Sequence, residues 1–260
     1  MNSSFDQAAK DYDTTFTHSH IGKLQRERVY YWLKKQHLLS GKKHFFEINC
    51  GTGYDADVLY QKGHSVIATD ASVEMIKKAQ KERNPAITFL PLSFQEVPKH
   101  QGIKETDVMF SNFGGLNCIS SNELQQFIHQ ITDVLQQKSI IAFVIMPTFC
   151  FIETLYFLIT FRWKKMFRRN TTKAIQVKVN NTMVPTYYHA PKTLKKMLQP
   201  NYSIKLVKPI AICLPPSYME KLFKKHPFLL KLLYGLEKIW GHVSFLSAWS
   251  DHYIIVAEKK

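Results

Sequence analysis

Glu47-Ile48-Asn49-Cys50-Gly51-Thr52-Gly53 is the stretch that decides the fold of this 260-residue chain. It overlaps the end of a strand expected at 44–49, His-Phe-Phe-Glu-Ile-Asn, and precedes a helical pattern over 55–62. A strand that ends on glycines and enters a helix brings its backbone close to a ligand. A dinucleotide fingerprint has a third glycine, and that position holds Ala56. Glu47 also sets an acid at the strand end, which repels a pyrophosphate and suits a ligand carrying an ammonium group.

The alternation continues on both sides. Residues 20–38 carry Ile21, Leu24, Val29, Trp32 and Leu33 near helical spacing. Strands are expected at 64–69, 86–90, 106–112 and 139–146. Helices are expected from Ser72 to about 82 and from an Asn122 cap to about Gln136. Apolar strands alternating with helices predict an α/β fold: a Rossmann-like, doubly wound, seven-stranded, mostly parallel sheet with helical cover insertions. After Pro147 the rhythm changes. A helix is expected at 150–168, an extended hairpin at 174–189, and a short helix from Pro191 to about Leu198. A strand at 203–213, a mostly helical stretch at 216–247 and a last strand at 252–257 follow.

Asp70 closes the second strand, about 20 residues beyond the glycines, where an acid accepts hydrogen bonds from ribose hydroxyls. A ligand with a ribose and an ammonium but no phosphate is S-adenosylmethionine (SAM). On these residues the chain resembles a class I SAM-dependent methyltransferase. Glu47 through Gly53 resemble that family's first motif, and Asp70 its acid after the second strand. Ala71-Ser72-Val73-Glu74-Met75 is similar to a run common in its small-molecule members. Phe5-Asp6, Ala9 and Tyr12-Asp13 resemble their N-terminal cover segment.

The resemblance implies roles. Tyr12 would lie over the cofactor. Glu47, Asn49, Cys50, Gly51, Thr52 and Gly53 would surround the methionine and ribose. Asp70 would bind the ribose diol, with Ala71 and Met75 beside the adenine. Ser93 and Phe94 follow the third strand, near the adenine amino group, and Asn112 and Phe113 follow the fourth, beside the methyl group. The expected organisation is a single domain. It has a cover region at 1–38, a SAM-binding core at 39–147, and acceptor-side insertions at 148–200 and 215–248. The expected activity is methyl transfer to a small-molecule acceptor, apolar or anionic. The alternatives are a lipid-like or quinone-like acceptor met at a membrane surface, RNA or protein as acceptor, and SAM binding without turnover.

Candidate bases are His189, Tyr188, Glu153 and, beside them, Tyr187. Glu153 is one acid within an apolar helix, so pairing with Arg162, Arg168 or Arg169 is its structural alternative. His252, in the last strand, is read as structural. Leu214-Pro215-Pro216-Ser217-Tyr218 is similar to a motif of amino-methylating nucleic-acid enzymes, but it lies far from the fourth strand and is read as a turn opening a helix.

Charge sharpens the partner question. The formal charge is +15, yet residues 1–147 hold 16 basic and 15 acidic side chains, and residues 148–260 hold 19 and 5. A one-sided excess points to an anionic acceptor or an anionic membrane surface. With no recognisable RNA-binding module, nucleic acid is not the expected partner. Cys50, Cys118, Cys150 and Cys213 form neither a CxxC pair nor a zinc spacing, so no metal is expected. Free thiols and a polar N-terminus predict a cytoplasmic protein, with peripheral membrane attachment as the variant. The longest apolar run, 149–161, falls short of the roughly 20 residues of a spanning helix.

Overall fold

The computed structural model describes residues 5–179 and 182–260. Short turns at Ala9–Asp11 and Asp13–Thr17 lead into α1 (His20–Lys35), where the Ser19 side chain accepts the Gly22 N–H. Then come β1 (His44–Ile48), α2 (Tyr54–Gln61), β2 (Ser65–Asp70), α3 (Val73–Glu82), β3 (Thr88–Pro91), β4 (Val108–Ser111), α4 (Ser121–Val134) and β5 (Ile140–Ile145). Five strands of one parallel series result, in the order β3-β2-β1-β4-β5.

The second part adds α5 (Phe151–Ile159), the hairpin β6 (Ile175–Val179) and β7 (Thr182–Thr186), α6 (Pro191–Leu198), β8 (Tyr202–Ile210), α7 (Glu220–Phe223), α8 (Pro227–Trp240) and β9 (His252–Lys259). β9 runs antiparallel between β5 and β8 and completes a seven-stranded sheet, while β6 and β7 pair apart from it.

The apolar strands are buried on both faces, so alternate residues feed separate cores. Phe45, Ala142 and Ile254 pack with Val29, Leu33, Leu59 and Ile76 of α1–α3. Phe46, Phe143 and Tyr253 pack with Leu124, Phe127 and Ile131 of α4 and Leu194 of α6.

Three expectations are corrected. Ser120, not Asn122, caps α4: its hydroxyl accepts the Glu123 N–H while the Glu123 carboxylate accepts the Ser120 N–H. The expected helix at 150–168 stops at Ile159, and Phe161 turns the chain with a left-handed φ of 55°. The reason is Glu153, whose carboxylate accepts from Arg168 Nε at 2.8 Å and from Arg169 Nη2 at 2.8 Å. An unbroken helix would hold residue 168 roughly 22 Å along the axis from Glu153 and leave that carboxylate buried without a cation. The strand expected to 213 ends at Ile210, because Ala211 adopts a φ of 61°. The expected hairpin at 174–189 includes residues 180 and 181, which lie outside the described residues, as do residues 1–4 of the cover region.

Candidate active site

The site lies at the C-terminal edge of β1, β2 and β4, where the parallel strands release their loops. After β1 the backbone is left-handed at Asn49 (φ 58°), Gly51 (φ 54°) and Gly53 (φ 71°). Asn tolerates this region better than other side chains. The Asn49 side chain needs room as well, and Gly115 leaves it: a Cβ on Gly115 would collide with the Asn49 side chain. Ser111 then donates its hydroxyl to Asn49 Oδ1 at 3.2 Å.

Asp70 is held before any ligand arrives. Its Oδ2 accepts the Gly51 N–H at 2.9 Å and its Oδ1 the Ser72 N–H at 2.8 Å. Burial pushes its pKa up, and those two N–H groups pull part of the way back. Glu47 is different. It is buried, and among the described residues its Oε2 has no hydrogen-bond partner. Burial pushes its carboxyl well above the ordinary carboxylate range, Asp55 adds to the push, and Arg26 opposes it. A buried acceptor without a partner is a place where a cation is stabilised.

The cover segment is fastened over this edge. Asp13 accepts from Thr52 Oγ1 at 2.5 Å and from Arg83 Nη2 at 2.7 Å, and Arg83 Nε also donates to the Thr52 carbonyl. Ser72 donates its hydroxyl to Asp6, and Lys78 Nζ donates to the carbonyls of Ala9 and Lys10. Tyr12 lies against Gly51, its ring 3.6 Å from where a Cβ would stand, and Phe16 packs edge-on to Phe113.

One cleft opens at this edge, lined by part of this set. Tyr12, Phe16 and Thr17 line it from the cover, Arg26 from α1, residues 49–52 with Tyr54 and Asp55 from the first turn, and Asn112 and Phe113 from the loop after β4. Sequence reasoning missed Phe16, Thr17, Arg26, Tyr54 and Asp55. Arg26 Nε donates to Asp55 Oδ1 at 2.9 Å, its guanidinium lies over the Tyr54 ring at 4.7 Å and the Phe113 ring at 5.2 Å, and Tyr30 and Asn112 also donate to Asp55. The available signal was modest: Arg26 and Tyr30 share a helix face, and Asp55 falls in a first helical turn.

Of the residues singled out from sequence, Tyr12, Asn49, Cys50, Gly51, Thr52, Asn112 and Phe113 line the cleft. Glu47, Gly53, Asp70, Ala71, Met75, Ser93 and Phe94 stand outside its lining. Cys50 is buried, and burial pushes its thiol up, away from the reactive thiolate. Met75 is buried beneath the cover with Ala8 and Ala9, whereas Ala71 is exposed. Ser93 donates both its hydroxyl and its N–H to Glu96, and Phe94 packs edge-on against Phe127.

None of the four candidate bases lines the cleft. Glu153 is gripped by both arginines and by the Tyr218 hydroxyl; burial acts upward on its pKa, but the arginines outweigh it. His189 is buried, with Nε2 3.1 Å from the Ile119 carbonyl and Nδ1 3.3 Å from Ser121 Oγ. Burial lowers its pKa. Tyr188 lies beneath the Arg169 guanidinium at 5.2 Å. His252 packs edge-on behind Phe113, and its Nδ1 lies 3.1 Å from Asp251 Oδ2.

Residues 45–138 match the family model described as "Methyltransferase domain". A curated relative, malonyl-[acyl-carrier protein] O-methyltransferase of Hamiltonella defensa subsp. Acyrthosiphon pisum (strain 5AT), is 28% identical over 130 residues, 50% of this chain and 46% of that protein. The chain thus spans about half the length of the curated relative it matches. Among solved structures, magnesium protoporphyrin IX methyltransferase from Synechocystis PCC 6803, with bound S-adenosylhomocysteine (SAH), superposes with a TM-score of 0.57 at 13% identity, over 96% of this chain and 87% of that one. A SAM-dependent methyltransferase from Archaeoglobus fulgidus gives 0.54 at 17% identity, over 95% and 98%. The parallel series closed by an antiparallel pair is the fold these methyltransferases share, and residues 45–138 of the chain form a methyltransferase domain.

Proposed function

We propose that this chain transfers a methyl group from SAM to a small-molecule acceptor of apolar or anionic character. The observation that carries the reading is the buried, unpartnered Glu47 carboxylate oxygen beside a turn whose Gly51 N–H already orients Asp70. These residues fit SAM: an acid for a cation, an aspartate for a ribose diol, and Arg26 in the cleft for a carboxylate. Bound SAM supplies an electrophilic methyl group on a sulfonium. The chain supplies position. Asp70 holds the ribose, Glu47 compensates positive charge, Arg26 fixes the amino-acid end, and Tyr12 with Phe16 screens the cleft from water.

The curated relative's name gives an oxygen acceptor on a malonyl group. An acidic oxygen of that kind is already a nucleophile at neutral pH, which suits a cleft that holds none of the candidate bases. The test is calorimetry with SAH, then transfer of labelled methyl from SAM into small-molecule fractions. Binding with transfer to a low-mass product supports the reading, and absence of SAH binding by folded protein ends it.

The Glu47 pKa makes a further prediction. A bound cation favours the ionised carboxylate, so SAM binding releases a proton. Between the pKa in the complex and the higher pKa in the free protein, affinity climbs by up to about tenfold per pH unit. Titration in two buffers of different ionisation enthalpy reads the proton directly. Because the folded state raises this pKa, Glu47 subtracts stability as pH rises above its unfolded value. Glu47→Gln is therefore expected to raise Tm at alkaline pH while it weakens SAM binding and abolishes the proton release.

A further inference from the structure

Among the described residues, the large apolar side chains left in solvent are confined to one region. All but Val73 and Met183 fall within 151–167 or 218–249. The two stretches adjoin: Tyr218 donates its hydroxyl to Glu153 at 3.1 Å, the Arg168 guanidinium lies over the Tyr218 ring at 5.6 Å, and the Phe151 N–H donates to the Trp249 carbonyl at 2.8 Å. α8 is apolar on both sides. Leu230, Leu233 and Tyr234 pack inward near Ile21 and Leu214, while Phe228 and Ile239 point outward, 80% and 66% exposed. Phe161 and Trp163 next to α5 are 80% and 63% exposed. Soluble monomers rarely leave so large a contiguous apolar surface uncovered.

The exposed charges of these two stretches have one sign, and the acid that meets α8 from outside them is Glu27 of α1, at Tyr234. Lys164, Lys165, Lys221, Lys224, Lys225 and Lys231 are all exposed. The acids of the two stretches are turned away: Glu153 and Glu237 are buried, and Glu220 accepts the N–H groups of His20 and Ile21. A second copy would set lysines against lysines, and the core of a protein interface is depleted in lysine. Acyl chains beneath anionic headgroups satisfy both the apolar and the cationic sets. Exposed Trp163 and Trp240 suit the headgroup level. No described helix is long and apolar enough to cross a membrane, so the contact is interfacial. α5 leaves from the end of β5 and the chain returns at the start of β9, so this face shares the sheet edge that carries the cleft.

We propose that the face formed by 151–167 and 218–249 docks the protein on the surface of an anionic phospholipid bilayer. The apolar side chains of α8 and of the turn after α5 sit among the acyl chains, and the lysines meet the headgroups. The docking is independent of methyl transfer, and its test uses no cofactor.

The test is flotation of the full chain with phosphatidylcholine vesicles, with and without about a third phosphatidylglycerol, at low and high salt. The wild type is expected to float with anionic vesicles at low salt, with a partition coefficient at least about tenfold above that for the neutral vesicles. Lys224→Glu/Lys225→Glu and, separately, Phe228→Ser/Ile239→Ser are each expected to lower it at least about tenfold, with thermal melts unchanged. The proposal is overturned if the wild type ignores anionic vesicles at low salt, or if both double variants bind as well as it does. It is equally overturned if sedimentation shows a dimer that Phe228→Ser/Ile239→Ser dissociates, since a second copy then covers the face.

Discussion

Gly53→Ala is expected to cost about 3 kcal/mol of stability and to lower Tm by roughly 6–12 °C, read by differential scanning calorimetry. Two penalties coincide there. Gly53 has a φ of 71°, which costs an alanine about 1–2 kcal/mol. Its Cβ would stand 2.6 Å from the Phe89 ring and 3.0 Å from Ala79 Cβ, so α2 would have to lift from the β-sheet and α3, at about 1–3 kcal/mol. Gly63→Ala is the control. Its φ is 89°, but nothing lies within 4 Å of its Cβ, so it loses only the backbone share. Equal losses at the two positions would show that close packing at Gly53 contributes nothing.

Asp70→Ala is expected to weaken SAH binding by about 100-fold, close to 3 kcal/mol, as charged hydrogen bonds to a ribose are lost. The cost exceeds that of one contact because the carboxylate is fixed in advance by the Gly51 and Ser72 N–H groups, which alanine leaves without their acceptor. Asp70→Asn keeps one acceptor oxygen and is expected to fall between. Calorimetry on the folded variants decides: SAH affinity unchanged in Asp70→Asn and Asp70→Ala would remove Asp70 from the site.

These predictions rest on residues that local pattern exposes. A strand end, a left-handed turn and an acid about 20 residues on are set by neighbours in the chain, so Glu47, Gly51, Gly53 and Asp70 stand out from the amino-acid order alone. β5 and β9 show as unbroken apolar runs for the same reason. Arg26 and Asp55 do not. Their pairing spans 29 positions and exists only because α1 lies across the start of α2. The same holds for Asn49 and Gly115, whose fit depends on the loops after β1 and β4 meeting. α5 ended early because of an ion pair made by residues 15 and 16 positions further on, and helical periodicity contains no term for that.

The linear order of strands, helices, glycines and acids thus determined the parallel sheet, the edge proposed for the cofactor and the division between a nearly neutral first part and a basic second. Only the tertiary structure decided which side chains close the cleft, and that the acids of 151–167 and 218–249 turn away from solvent while lysines and large apolar side chains of the same stretches stay in it. The physical reason is range. Backbone geometry and periodicity act over a few residues, whereas burial and charge pairing are settled by distant elements that arrive at the same sheet edge.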